Sequence, residues 1–328
     1  MMKHKEVMNI LCATDDNYVA LCGIMLTSLY LNNRDINIHV YLLTEGINEN
    51  DSSKLKQTAK QYNATLTILK VEASQFSHCP LWPGDHLSIA AYYRLMASSL
   101  LPDSVDKILY LDCDIIVNGS LKSLWNLDIE NSAIGAVPDA EFYNEEFYHR
   151  LHLPKNKIYF NSGVLLINLK YWRMHNVENR CFACIEQQRD VLLFHDQDTL
   201  NVVLQDEVKV LPLQYNLQTP FLLADFSKHY VSGVTVSSIL AASKCPSIIH
   251  YIGGGKPWNG HSRHPFRKHF YYYKSLSFWN NVSLFKKHES IISKIRWFIL
   301  NFMWNTGLKS APKTYIIETQ SVCQVTTL

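Results

Sequence analysis

The sequence predicts an α/β fold: a mixed, mostly parallel sheet flanked by helices. Three observations predict it. Between residues 8 and 71, apolar β-prone runs alternate with segments of helical spacing, the rhythm of a parallel sheet covered on its faces. A later apolar run, Val105 to Leu111, ends abruptly in Asp112-Cys113-Asp114. A third run ends at His250 and leads into Gly253-Gly254-Gly255-Lys256. Polar residues able to do chemistry therefore follow the carboxyl ends of strands, where open α/β sheets gather ligands.

In chain order, residues 8–13 read as the first strand, with Thr14-Asp15-Asp16-Asn17 as a polar loop at its end. Residues 18–31 carry Leu21, Ile24, Met25 and Leu29 at helical spacing. Residues 36–43 alternate as a strand, 48–62 form a polar amphipathic helix, and 65–71 are another strand. Residues 133–137 and 164–169 are short apolar strands, joined by an aromatic-rich connection from Phe142 to Tyr159. Residues 197–204 read as helix and 247–251 as a final strand. Beyond residue 265 the composition changes: Tyr271, Tyr273, Trp279, Phe298, Phe302 and Trp304 mix with Lys268, Lys287, Lys294 and Arg296. The chain thus divides into a main domain, 1–265, and a C-terminal extension, 266–328. Aromatic plus basic is the composition of an interfacial membrane segment. A helix packed on the domain through its aromatics would have the same composition; membrane contact is the preferred reading.

Bulk properties narrow the classes. A formal net charge of +2 gives no nucleic-acid footprint, so no nucleic-acid partner is expected. The eight cysteines are scattered without paired CxxC modules, and reduced thiols in a cytoplasmic protein are expected. Cys181 and Cys184 share a helix face and read as packing. The chain enters its first strand without an apolar leader, so secretion is not expected. The nearest approach to a membrane span, residues 291–304, is interrupted by Lys294 and Arg296 and falls short of the roughly 20 apolar residues required.

The chemistry begins at Asp112 and Asp114. In extended backbone these point the same way and Cys113 points opposite, into packing. Two adjacent carboxylates repel unless a cation lies between them, and oxygen ligands suit Mg²⁺, Mn²⁺ or Ca²⁺. For a bare Asp-x-Asp, a solvated turn is the alternative. His250 supplies a second anchor. The glycines after it let backbone N–H groups approach an anion closely, and Lys256 adds a point charge. Asp112, Asp114 and His250 could hold Mn²⁺, with Gly253 to Lys256 holding the rest of a diphosphate. An imidazole ligand favours Mn²⁺, with Mg²⁺ the second choice.

At this point the chain resembles the family 8 retaining glycosyltransferases, the α-glucosyl and α-galactosyltransferases of bacterial lipopolysaccharide and lipooligosaccharide assembly. Six ordered blocks across roughly residues 8–260 carry the resemblance. They are Ala13-Thr14-Asp15-Asp16-Asn17-Tyr18, the stretch Ser88 to Leu95, Ile108 to Asp114, Tyr159 to Asn168, Asp196-Gln197-Asp198, and His250 to Trp258. The resemblance implies a GT-A type nucleotide-diphospho-sugar transferase fold for residues 1–265. It implies that Ala13, Asp15, Asn17 and Tyr18 hold the nucleotide's base and ribose, and that Asp112, Asp114 and His250 ligate manganese. Gly253 and Lys256 would contact the diphosphate, and Cys113 counts among the donor-binding positions. Arg94, Asn161, Asp196 and Gln197 would surround the transferred sugar, Arg94 orienting Asp196 by a bidentate pair. Asp139 and Asn161 would meet acceptor hydroxyls, and His86 would lie near the donor. For the acidic run, a helix N-terminus is the structural alternative.

The implied reaction moves an α-hexose, glucose or galactose, from a UDP-sugar to a glycan or glycolipid acceptor with retention. Mn²⁺ and Lys256 would stabilise the departing UDP. The acceptor oxygen would attack from the leaving-group side, in preference to a covalent route through Asp196 or Gln197. The expected location is cytoplasmic, peripheral on the inner face of the membrane if the tail binds there. Two rival readings are an aspartate-dependent phosphatase or phosphotransferase using Asp112, and a non-catalytic sugar-nucleotide-binding module. The first expects its motif at the first strand, with Thr or Val where Ile116 stands.

Overall fold

The computed structural model describes residues 7–82, 89–141, 145–226, 231–253, 255–259 and 262–284, and in the tail 298–299, 302–303, 306, 308 and 315–317. Ten strands are defined among them: β1 (Val7–Ala13), β2 (Asn37–Thr44), β3 (Thr65–Lys70), β4 (Lys107–Leu111), β5 (Ile115–Val117), β6 (Ile134–Pro138), β7 (Phe160–Asn168), β8 (Val208–Val210), β9 (Leu217–Gln218) and β10 (Ile248–His250). The large sheet has the order β3-β2-β1-β4-β7-β6-β8. Only β7 runs against its neighbours, β4 and β6; the other pairings are parallel. The expected mixed, mostly parallel sheet is therefore what forms.

Both faces of the sheet are covered. Met8, Ile10 and Cys12 point from β1 into a core shared with the helix Val19–Asn32, whereas Leu11 points to the other side, among Tyr92, Tyr93 and Trp172. Burial on both sides explains why β4, β6 and β7 are near-continuous apolar runs rather than alternating ones. The strand expected over 164–169 begins earlier, at Phe160, so Asn161, Ser162 and Gly163 lie within it.

A second sheet, β5-β10-β9, positions the site. β10 pairs antiparallel with β5 and parallel with β9, setting His250 beside Ile115 and Gln218. Asp112-Cys113-Asp114 is the joint between the two sheets. It is a turn rather than extended backbone, so strand alternation does not bring its carboxylates together. Pairing does so instead: Asp112 N–H donates to the Gly163 carbonyl (2.9 Å) and Tyr251 N–H to the Asp114 carbonyl (3.0 Å).

Cys12, Cys22, Cys79, Cys113, Cys181 and Cys184 are free and buried. Cys245 is disulfide-bonded, which corrects the expectation of uniformly reduced thiols. It is exposed, just after the helix Val236–Lys244, where a thiol can be reached. The helix Arg267–Leu276 buries His269, Phe270 and Tyr273 against the domain. Trp279 follows, 1% exposed, with its Nε1 donating to Asp51 Oδ1 at 2.9 Å.

Candidate active site

The turn between the sheets, the end of β10 and the start of β7 converge on one point. Side-chain ligand atoms of Asp112, Asp114 and His250 all lie within 4.8 Å of one another. His250 Nε2 is 3.1 Å from Asp114 Oδ1 and 3.9 Å from Asp112 Oδ2. Gly163 makes room for this approach. A Cβ there would fall 2.3 Å from His250 Cε1 and 2.6 Å from Asp112 Oδ2, so the strand can pass only as glycine.

A chain of amides fixes which His250 nitrogen faces the carboxylates. Gly163 N–H donates to Asn161 Oδ1 (3.1 Å), which makes that atom the carbonyl oxygen. The Asn216 atom 2.9 Å from Asn161 Oδ1 must then be its Nδ2, leaving Asn216 Oδ1 to face His250 Nδ1 at 2.9 Å. Nδ1 therefore carries a proton donated to Asn216, and Nε2 is the nitrogen turned toward Asp112 and Asp114. Two carboxylates and an imidazole nitrogen facing one another form the donor set a divalent cation would satisfy. The residues fit the ion.

Charge around this cluster is distributed by named contacts. Burial alone would raise the Asp114 carboxyl, but Lys256 and His250 outweigh it and hold it well below the usual carboxylate range. Arg94 is buried, and its guanidinium is kept charged against that burial by Asp112 and Asp196. It donates to Asp112 Oδ1 (2.9 Å), the Ser162 carbonyl (2.6 Å) and the Ala91 carbonyl (3.0 Å). The expected bidentate pair with Asp196 does not form. Arg94 Nε lies 3.2 Å from Asp196 Oδ2 while its proton is directed to Ala91, because the guanidinium spans two carboxylates. Asp196 Oδ2 is thus buried without a hydrogen-bond donor, and burial pushes this carboxyl up, opposed by Arg94. Asp139 is likewise raised by burial, partly offset by donors from Asn161, the Glu141 backbone and Gln197.

These groups line one cavity of about 600 Å³. Of the residues singled out in the sequence, Ala13, Asp15, Tyr18, Arg94, Asp112, Cys113, Asp114, Asp139, Asn161, Asp196, Gln197, His250, Gly253 and Lys256 line it. Asn17 is not part of the lining. It is exposed, and Asp15 Oδ1 accepts from its N–H (2.9 Å) and that of Tyr18 (3.0 Å), the closing bonds of a turn. Cys113 turns away from the carboxylates, its Sγ donating to the Ala13 carbonyl (3.2 Å). His86 and Gly254 lie outside the described residues. Asp196 and Asp198 divide two roles. Asp196 faces the cavity, whereas Asp198 caps its helix by accepting from Phe194 N–H (2.7 Å) and pairs with Arg150 (2.7 Å) and Tyr159.

Gln197 is fully engaged: its Oε1 accepts from Ser162 N–H (3.0 Å) and Asn161 Nδ2 (3.1 Å), and its Nε2 donates to Asp139 Oδ2 (3.2 Å). Sequence reasoning missed Tyr110, whose hydroxyl donates to Asp112 Oδ1 (2.8 Å). The strand period of two, which puts 110 and 112 on one side, was the available signal. It also missed Asn216 and the cavity walls Glu141, Phe147 and Phe194, for which the sequence carries no periodic mark.

With that geometry established, likeness to known proteins gains meaning. The chain is 31% identical over 291 residues to general stress protein A of Bacillus subtilis (strain 168), covering 86% of this chain and 98% of that one. It is 30% identical to a lipopolysaccharide 1,2-glucosyltransferase of Escherichia coli (strain K12), over 81% of this chain and 77% of that one. Its structure matches that of a galactosyltransferase, LgtC, solved with donor and acceptor sugar analogues. The TM-score is 0.74 at 28% identity, over 83% of this chain and 96% of that one. The fold is thus the GT-A type, and the model of glycosyl transferase family 8 matches residues 9–262. This chain belongs to glycosyl transferase family 8.

Proposed function

We propose that this protein is a retaining hexosyltransferase that moves an α-hexose, glucose or galactose, from a UDP-sugar to a glycan or glycolipid hydroxyl in surface-glycan synthesis such as lipopolysaccharide assembly. One observation carries the reading: Nε2 of His250 facing Asp112 and Asp114, with Lys256 and Gly253 on the same cavity wall. Mn²⁺, or Mg²⁺ in its place, held by Asp112, Asp114 and His250 would supply Lewis-acid neutralisation of charge on the departing diphosphate.

The remaining work falls to the chain itself. Lys256 adds a fixed positive charge beside Asp114, and Gly253, at φ +70°, keeps its backbone free of a side chain at the cavity wall. Asp196 lines the cavity as a carboxylate for a sugar hydroxyl, and Asp139 and Asn161 offer further polar atoms toward an acceptor. Gln197 is an amide with both ends bonded, which argues against a nucleophile. The account is a front-face displacement in which the leaving phosphate oxygen takes the acceptor's proton. Asp112 as a phosphatase nucleophile has no support, since its Oδ1 is engaged by Arg94 and Tyr110.

The test is hydrolysis of UDP-glucose and UDP-galactose without acceptor, with and without Mn²⁺, the first-formed anomer read by proton NMR. Mn²⁺-dependent release of an α-hexose is expected; no turnover with any UDP-sugar would remove the reading. Among the described residues no helix is long and apolar enough to cross a membrane. The tail instead exposes Phe298, Ile299, Phe302 and Leu308, with Lys294, Arg296 and Lys309 close by in the sequence. We propose that the enzyme works in the cytoplasm, with this segment resting on the inner membrane face. Replacing Phe298 and Phe302 with Ser should abolish co-sedimentation with anionic vesicles; unchanged sedimentation would refute the contact.

A further inference from the structure

Late in the chain, beyond the residues matched by the family, a short segment returns to the phosphate-binding loop. Leu223 and Tyr315 form an antiparallel bridge, and Ile316 N–H donates to the Leu222 carbonyl at 2.7 Å. Ile317 is buried, and Tyr315 and Ile316 pack against the main core. This docking sets the Tyr315 hydroxyl over Gly255. A Cβ on Gly255 would lie 3.1 Å from that oxygen and 3.3 Å from Thr219 Cγ2. Gly255 does not have the positive φ of Gly253, so its missing side chain answers to space rather than backbone conformation.

The same ring reaches the metal-binding strand through two side chains. Tyr315 stands edge-on to His264, with centroids 5.7 Å apart. His264 Nδ1 accepts from Phe266 N–H (3.1 Å), so its Nε2 carries the proton and donates to Thr219 Oγ1 (3.2 Å). The Thr219 hydroxyl in turn donates to the His250 carbonyl (3.2 Å). One tail residue thus touches the Gly253–Lys256 loop directly and backs the strand that carries His250.

We propose that Tyr315 is a positioning residue for the donor, and that residues 315–317 complete the diphosphate site by backing Gly255, next to Lys256. The proposal rests on the nucleoside-diphosphate reading of that loop. Gly255 held from behind keeps its N–H and the neighbouring Lys256 in place without an ordering cost at the moment of binding. Because this contact acts on Gly255 and not on the acceptor side, its loss should raise donor KM and leave acceptor KM unchanged.

The experiment is calorimetric titration of UDP with Mn²⁺ into the full-length protein, alongside steady-state kinetics. Tyr315→Ala should weaken UDP binding and raise donor KM about tenfold, the scale of outer-shell effects, with kcat within about twofold. Gly255→Ala should weaken UDP in the same way, because its Cβ presses on the Tyr315 hydroxyl. Adding Tyr315→Phe in that background deletes the hydroxyl and should recover part of the loss. Should Tyr315→Ala fail to fold, the Gly255 pair decides. Wild-type-like UDP affinity in Tyr315→Ala, or no recovery in the Gly255 pair, would overturn the positioning role alone. Absence of UDP binding by the wild type would overturn the donor reading beneath it.

Discussion

Asn216 is the residue that orients the imidazole of the proposed cation site, because it decides which His250 nitrogen faces the carboxylates. Replacing it with Leu keeps the branching at Cγ but removes the acceptor for Nδ1–H. Mn²⁺ affinity, measured by titration in the presence of UDP, should then fall about 10- to 100-fold. An unchanged affinity would mean the tautomer is set elsewhere. Asp112, Asp114 and His250 were legible in the sequence because charged and imidazole side chains at apolar strand ends stand out. Asn216 was not, since a single amide beside a two-residue strand leaves no pattern. Asn17 shows the converse: a residue inside a recognised block can serve the turn rather than the cavity, its N–H closing on Asp15.

At the level of elements, the joint between sheets does what strand alternation was expected to do. Long apolar runs made β1, β2, β4 and β7 legible, whereas β5, β8 and β9 have two or three residues each, too few for a period to register. The pairing of β5 and β9 with β10 is nonetheless what sets His250 beside Asp114. The helix Arg267–Leu276 and Trp279 illustrate a second ambiguity, since aromatic composition alone does not tell a buried ring from a membrane-facing one. Trp279 lies so close to the helix Val19–Asn32 that a Cβ on Gly23 would come within 2.0 Å of its ring. Trp279→Ala should cost about 3–5 kcal/mol in urea unfolding, the usual cost of emptying a buried tryptophan site. A loss under about 0.5 kcal/mol, typical of surface changes, would show that this ring does not anchor the extension.

Across the whole molecule, the mixed sheet covers and supports, while the smaller sheet and its flanking loops collect the polar groups in one cavity. That division explains why the fold class could be read from apolar rhythm and the site only from residue chemistry. The tail combines different physical roles in one composition: Tyr273 and Trp279 are buried in the domain, Tyr315 closes on the phosphate loop, and Phe298 and Phe302 are exposed. The central claim is that Asp112, Asp114 and His250 hold the cation on which departure of UDP depends. It is tested most directly by comparing Mn²⁺-stimulated UDP-hexose turnover in the wild type and in Asp114→Ala at matched folded fraction. The account predicts that the variant loses Mn²⁺-stimulated turnover entirely. Full Mn²⁺-stimulated activity in Asp114→Ala would contradict it.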